Sequence, residues 1–261
     1  MEAPVKDQVA IVTGGGQGIG RAIALRLAQD GMHVVVADLR REQAEAVTAE
    51  VQQLGRQARA LPIDVTVPDD RRRMFDTALA TYGRFDVLVN NAGILHAALP
   101  IDVTEAHWDA VMNVNAKAVF MCCQLALRSM VEMRRGRIIN IASIAGKLAS
   151  TIYHPVYNIS KAAVIAMTKT LALAHAADGI RINAVCPGVV ATPMQDVLDR
   201  EFARVTGRSP ADIRAERLSR IPMGRIEQPE EVAAVVSFLV GPDSSYITGE
   251  SFSVTGGILA S

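Results

Sequence analysis

The run Val9-Ala10-Ile11-Val12-Thr13, followed at once by Gly14-Gly15-Gly16-Gln17-Gly18-Ile19-Gly20, leaves the chain few ways to fold. The first five residues show no polar alternation, so they read as a strand covered on both faces. After the glycines a helix begins, in which Ile19, Ile23 and Leu27 recur every four residues, Ala22 and Ala24 keep the surface slim, and Gly31 supplies a stop. A strand, a glycine turn and a helix start aim free backbone N–H groups and the positive helix end at one point. An anion such as a pyrophosphate binds there.

The pattern repeats along the chain. A second strand, His33 to Ala37, ends at Asp38, eighteen residues past Gly20. A carboxylate at that distance accepts hydrogen bonds from both adenosine hydroxyls and repels a 2′-phosphate, which favours NAD over NADP. Arg40 and Arg41 follow closely and temper the preference, because either would bind a phosphate. A helix over Arg41 to Leu54 places Ala44, Val47, Val51 and Leu54 on its inner face. The strand Ala58 to Ile63 ends in Asp64-Val65, where Asp64 meets an adenine amine or caps a turn. Pro68 opens a helix with Met74, Phe75, Ala78, Leu79 and Tyr82 inward and Arg71-Arg72-Arg73 as a solvated face. Phe85 to Val89 is a fourth strand, terminated by the polar, flexible Asn90-Asn91-Ala92-Gly93.

Thr104 caps a helical region reaching about Met133, and Asn113 and Asn115 interrupt its apolar face. Asparagine is a poor helix former, so each is either solvated or holding something, such as a water or an irregular carbonyl. Strands at Arg137 to Ala142 and Ile180 to Val185 flank a helix carrying Tyr157 and Lys161, and end in Ser143-Ile144-Ala145-Gly146 and Cys186-Pro187-Gly188. A polar stretch, Gln195 to Arg220, suits one or two short helices, a further helix runs from Pro229 through Leu239, and Ser251 to Val254 is a last strand. Strands alternating with helices predict an α/β chain: one domain over residues 1–261, a doubly wound parallel sheet of Rossmann type, with a small helical substrate lid at about 192–222. Its polar signals fall at the carboxyl ends of strands or at helix starts beside them.

Tyr157 and Lys161 lie one helical turn apart and share a face. A free tyrosine has a pKa of about 10, and a cation within roughly 4 to 6 Å favours the phenolate. Lowering the phenol by about three units takes roughly 4 kcal/mol, within reach of the ammonium plus a second positive charge such as an oxidised nicotinamide. The pair thus predicts a proton-exchanging phenol tuned by a lysine.

Basic and acidic residues balance at 27 each, which indicates neither a nucleic acid nor an anionic membrane as partner and leaves a small molecule. The sequence opens without a basic stretch, a cleavage site or an apolar run of about 18 residues, so a cytoplasmic location is expected. Cys122, Cys123 and Cys186 lack metal-ligand spacing and are read as apolar packing; no metal site is expected.

Thr13-Gly14-x-x-x-Gly18-x-Gly20, Asn90-Asn91-Ala92-Gly93, Asn115, Ser143, Tyr157-x-x-x-Lys161 and Pro187-Gly188 together resemble the short-chain dehydrogenase/reductase family, in its order and over nearly the whole chain. The resemblance implies Tyr157 as general acid/base and Lys161 as the group that lowers its pKa and holds the nicotinamide ribose. It implies Ser143 as a hydrogen-bond partner of the substrate oxygen and Asn115 as the anchor of a water in a proton relay. For the cofactor it implies Gly14, Gly18 and Gly20 at the pyrophosphate with Gln17 and Ile19 beside them, Asp38 at the ribose, and Asp64 and Val65 at the adenine. Asn91, Ala92, Gly93, Pro187, Gly188, Val190 and Thr192 complete the lining. A homotetramer is also implied. Thr255 departs from the acidic or amide residue that often precedes the paired glycines.

For the substrate, Tyr153, His154 and Pro155 precede Tyr157 and should border the pocket, with His96 and Ala97 as further candidates. The stretch Cys186 to Met194 looks like that of family members acting on sugar alcohols, acetoin and related diols, so oxidation of a secondary alcohol in a small polyol or sugar is the first expectation. Reduction of 3-oxoacyl thioesters is the alternative, for which Arg134, Arg135 and Arg137 would offer a carrier protein a basic patch. A silent dinucleotide-binding sensor is disfavoured because Asn115, Ser143, Tyr157 and Lys161 occur together, and Ser143 lacks the His-Asp pair a nucleophile would need.

Overall fold

The computed structural model describes residues 5–148 and 153–259. Seven strands form one sheet: β1 (Val9–Thr13), β2 (His33–Asp38), β3 (Ala58–Pro62), β4 (Val87–Asn90), β5 (Gly136–Ile141), β6 (Ile180–Pro187) and β7 (Ser251–Val254). Every pairing is parallel, in the order β3-β2-β1-β4-β5-β6-β7. The winding reverses between β1 and β4, and the crevice at that switch point is where a ligand binds in such a sheet.

The helices are α1 (Gly18–Gln29), α2 (Arg41–Gln53), α3 (Pro68–Tyr82), α4 (Glu105–Met112), α5 (Val119–Met133), α6 (Pro155–His175), α7 (Pro193–Thr206), α8 (Pro210–Ser219) and α9 (Pro229–Val240). Alternate residues of a strand face opposite sides. Val9 and Ile11 accordingly join the core beneath α3, α5 and α6, whereas Ala10 and Val12 join the core beneath α1, α2 and α9. Burial on both faces explains the unbroken apolar strands, each fully buried Val or Ile contributing about 1.5–3 kcal/mol.

The helical run after Thr104, whose hydroxyl caps α4 by accepting the His107 N–H at 3.2 Å, is not continuous α-helix. Asn113–Ala118 form a π-helical segment between α4 and α5, the kind of irregularity that marks functional sites. Glu105–Met133 is long and apolar enough to cross a membrane, with a mean hydropathy of 1.4 in its most apolar window, but half of that window is buried inside the fold, where Cys122, Cys123, Ala126 and Met130 pack on the sheet.

Three core expectations are corrected. Leu54 is 42 % exposed because it caps α2 rather than continuing its buried stripe, and Leu79 is 37 % exposed at the edge of α3. Arg71, expected in solvent with Arg72 and Arg73, is buried and donates from Nη1 to the Val65 carbonyl at 2.7 Å. It lies one turn before Met74 and Phe75 on the inner face of α3, so its stem packs while its head satisfies the loop after β3. All three cysteines are free and buried.

Candidate active site

A cleft of about 1000 Å³ runs along the carboxyl ends of the strands. At one end lies the glycine turn. Gly14 and Gly18 adopt left-handed φ values of +61° and +52°, costly for any residue with a Cβ. Asp38, at the end of β2, accepts the Gly16 N–H at 2.9 Å and the Arg40 N–H at 3.0 Å, so its carboxylate is already fixed when it faces the cleft. Gln17, Ile19, Asp64 and Val65 also line this end, and Asp64 caps a turn by accepting from Thr66 N at 2.8 Å. Both roles weighed for Asp64 are thus geometrically compatible.

Gly20 does not line the cleft. A Cβ there would sit 2.0 Å from the Gly14 carbonyl oxygen, so this glycine lets α1 pack against the turn rather than a ligand approach it. Thr13 has a larger part than expected: its hydroxyl accepts the Asn91 and Ala92 N–H groups at 3.0 and 3.1 Å. Asn91 Nδ2 reciprocates by donating to the Thr13 and Gly14 carbonyls at 3.1 and 2.9 Å. The loop after β4, including Asn91, Ala92 and Gly93, is thereby tied to the glycine turn, and Thr192 closes over Gly18 from the opposite wall.

At the other end, Ser143 leaves β5 and caps a short turn, its Oγ accepting the Ala145 N–H at 3.1 Å. The Ser143 and Tyr157 side chains both line this end of the cleft, close enough for Ser143 to act on the phenol. Lys161 is only 4 % exposed; its Nζ donates to the Ile141 carbonyl at 2.7 Å and lies 5.7 Å from the centre of the Tyr157 ring. Burial pushes the Tyr157 phenol up to about 12, against which the neighbouring Ser143 acts, and pulls the Lys161 ammonium down to about 8. The expected lowering of Tyr157 by Lys161 is therefore not a property of the chain alone. Desolvation dominates the phenol, while the ammonium is held by the Ile141 carbonyl.

Asn115, in the π-helical segment, is fully buried and holds the loop after β4 from below. Its Oδ1 accepts the Ile94 N–H at 2.9 Å, and its Nδ2 donates to the Ile94 carbonyl at 2.8 Å and to Ser160 Oγ at 3.2 Å. A Cβ on Gly93 would be 3.4 Å from Asn115 Oδ1 and 3.7 Å from Lys161 Nζ, so Asn115 and Lys161 flank one glycine. Of the two alternatives for the mid-helix asparagines, Asn113 is exposed and Asn115 holds backbone.

His154 lines the cleft and is 5 % exposed, its ring stacked on Phe202 at 5.6 Å and edge-on to Tyr157 at 5.3 Å. Burial lowers its imidazole to about 4, so it is neutral at physiological pH; Nδ1 makes no hydrogen bond of standard geometry, although Asn158 lies beside it. His96 is exposed and pairs with His107 at 4.0 Å between ring centres, outside the lining, which corrects its expected place. Phe202 and Arg217, on α7 and α8, were not foreseen as lining residues. Arg217 donates to Asp199 Oδ1 at 2.8 Å and Gln195 Oε1 at 2.9 Å, tying α8 to α7. The amphipathic spacing of Leu198 and Phe202 was the available signal, but it does not say which cavity the face covers.

Residues 14–259 match a family profile described as enoyl-(acyl carrier protein) reductase. The chain is 39 % identical over 255 residues to a 3-oxoacyl-acyl-carrier-protein reductase, FabG, of Thermotoga maritima, covering 98 % of this chain and 99 % of that one. It is 38 % identical to the short-chain reductase protein NovJ of Streptomyces niveus, over 97 % of this chain and 94 % of that one. Among solved structures, an NAD⁺-bound xylitol dehydrogenase superposes with a TM-score of 0.93 at 32 % identity, covering 98 % of this chain and all of the other. A short-chain dehydrogenase/reductase of Mycobacterium marinum gives 0.91 at 32 %, covering 98 % and 97 %. The fold recurs over the full length of these relatives, and the chain is an oxidoreductase of the short-chain dehydrogenase/reductase family.

Proposed function

We propose that this enzyme interconverts a secondary alcohol and a ketone on a small polyol, diol or sugar, with NAD as cofactor and Tyr157 as general acid/base. The observation that carries the reading is the gathering of the Ser143 and Tyr157 hydroxyls in the cleft lining beside a buried lysine. The residues present fit a dinucleotide: two left-handed glycines at the start of α1 suit a pyrophosphate, and Asp38 is a fixed acceptor for ribose hydroxyls. When bound, the nicotinamide supplies or accepts the hydride at the substrate carbon.

The chain's own part concerns the oxygen. Ser143 and Tyr157 supply preplaced hydrogen bonds where charge develops, and Tyr157 takes or gives the proton. From about 12, the phenol needs about four units of lowering to act near pH 8, or roughly 5 kcal/mol, which calls for a positive charge close by in a water-poor site. Lys161 fits the role of ribose anchor and relay start, with Asn115 fixing the loop through which a water would connect it to solvent. His154, neutral and wedged between Phe202 and Tyr157, suits a substrate hydroxyl beyond the reacting carbon.

The 39 % identity to a protein named as a 3-oxoacyl-acyl-carrier-protein reductase supports a second reading, reduction of 3-oxoacyl thioesters. The likeness to a xylitol dehydrogenase and the carboxylate of Asp38 support the first. We also infer a cytoplasmic homotetramer, which would cover Leu173 and Ile159, exposed on α6, and Phe120 on α5. The test is a spectrophotometric screen with NAD and NADP against polyols, sugars, diols and 3-oxoacyl esters, beside Tyr157→Phe. Polyol or diol turnover that disappears in the variant while NAD still binds is the expected result. Turnover of 3-oxoacyl esters alone would overturn the substrate, and undiminished turnover in the variant would overturn the role of Tyr157.

A further inference from the structure

Glu227 sits in the turn between α8 and α9 and is 8 % exposed. It is bonded three times to the segment Gly188–Ala191. Its N–H donates to the Val189 carbonyl at 2.9 Å, its carbonyl accepts the Ala191 N–H at 2.8 Å, and its Oε2 accepts the Gly188 N–H at 3.1 Å. The two backbone bonds would form with any residue, and Gly188 N–H already reaches the Val254 carbonyl at 2.8 Å. The segment therefore does not need an acid to be held.

The acid is also poorly compensated. Oε1 is buried without a hydrogen-bond partner. Besides Glu227, the charged side chains lining the small cavity of about 80 Å³ beside it are Arg225 and Glu231, and these are engaged with each other through two bonds of 2.8 and 2.6 Å. An unpaired buried carboxylate is costly, and an apolar residue or a glutamine would fill the space at lower cost. On the other side of Gly188, Val189 and Val190 lies the cleft, next to β5 and Ser143.

We propose that Glu227 is a positioning residue for the cofactor's redox state: its carboxylate sets a negative charge behind the Gly188–Val190 wall and makes the cleft favour an oxidised, cationic nicotinamide over the reduced, neutral one. The inference rests on the reading of the cleft as a nicotinamide dinucleotide site. Burial raises the Glu227 carboxyl to about 7, so the charge is present above neutrality and lost below it. The preference is thereby tied to pH.

Dissociation constants for NAD⁺ and NADH, measured by titration calorimetry at pH 6 and pH 8 on the full chain and on Glu227→Gln, test this. In the unmodified enzyme the ratio Kd(NADH)/Kd(NAD⁺) should rise on the order of tenfold from pH 6 to pH 8, and in E227Q it should stay level. Lys161 also titrates near this window, so an equal rise in both proteins would assign the effect to it and overturn the proposal. A level ratio in the unmodified enzyme overturns it whatever the variant does, including a variant that fails to fold. Absence of binding by either nucleotide at both pH values would instead overturn the reading of the cleft, and the proposal with it.

Discussion

Replacing Gly20 by alanine separates two roles that a glycine in such a turn can have. In an exposed helical position the change would add about 0.5–1 kcal/mol of stability through helix propensity. Here the new Cβ would stand 2.0 Å from the Gly14 carbonyl oxygen and 2.5 Å from Asn91 Nδ2, so the glycine turn must retreat by about an ångström or more to reach van der Waals distance. That retreat pulls the Gly14 carbonyl away from Asn91 Nδ2, which now lies at 2.9 Å. Overpacking of this kind costs about 1–3 kcal/mol and an orphaned buried polar group about 1–3 kcal/mol. Less the propensity gain, the expected loss is about 1–5 kcal/mol. Urea unfolding followed by circular dichroism reads it as a lower midpoint with the slope unchanged. Gly55→Ala is the control: φ is +77° there, but nothing lies within 4 Å of the added atom, so it should cost only about 1–2 kcal/mol. Gly20→Ala as stable as the parent, with NAD affinity unchanged, would refute the packing role and return Gly20 to the ligand-facing one.

Asp38→Ala should narrow the preference for NAD over NADP by roughly tenfold or more in kcat/KM, since it removes both an acceptor and a repelling charge; equal use of the two cofactors by the unmodified enzyme would show that Asp38 does not discriminate. His154→Ala should shift kcat/KM across a panel of polyols and diols while leaving the Kd for NAD within about twofold, and an unchanged profile would remove it from substrate contact. Because the folded His154 imidazole is held near 4, below its ordinary 6.5, the unmodified protein should lose stability as pH falls from about 6.5 toward 4, and H154A should lose less. Urea midpoints at pH 5 and pH 7.5 measure the difference.

Much of the fold was legible because its signals are local. Both faces of β1 are covered, so Val9 to Val12 carry no polar residue to blur the strand, and Gly14 must be glycine at its φ of +61° whatever surrounds it. Asp38 and Ser143 could be placed because a parallel sheet sends every strand end to the same side. Arg71 was misplaced because a run of three arginines looks uniform along the chain, whereas the helix turns the first of them onto the face of Met74. His96 was misplaced for a similar reason: sequence proximity to Asn91 and Gly93 does not say which way the loop leaves the cleft.

The electrostatics of the site lay further out of reach. Spacing puts Lys161 one turn from Tyr157, but the sign of the phenol's shift depends on how much water the fold removes, and burial decides it. The sequence around Glu227 carries no signal that singles it out; only the docking of residues 188–191 against it makes it a buried, half-satisfied carboxyl. The alternation of buried strands and amphipathic helices, the glycine turn and the set of reactive residue types were readable along the chain, since these follow from backbone conformation and periodicity within a dozen residues. Which of those residues share the cleft, which are dry and which charges lack a partner emerges only once the chain is folded, because desolvation and contact are set by neighbours tens to hundreds of positions away.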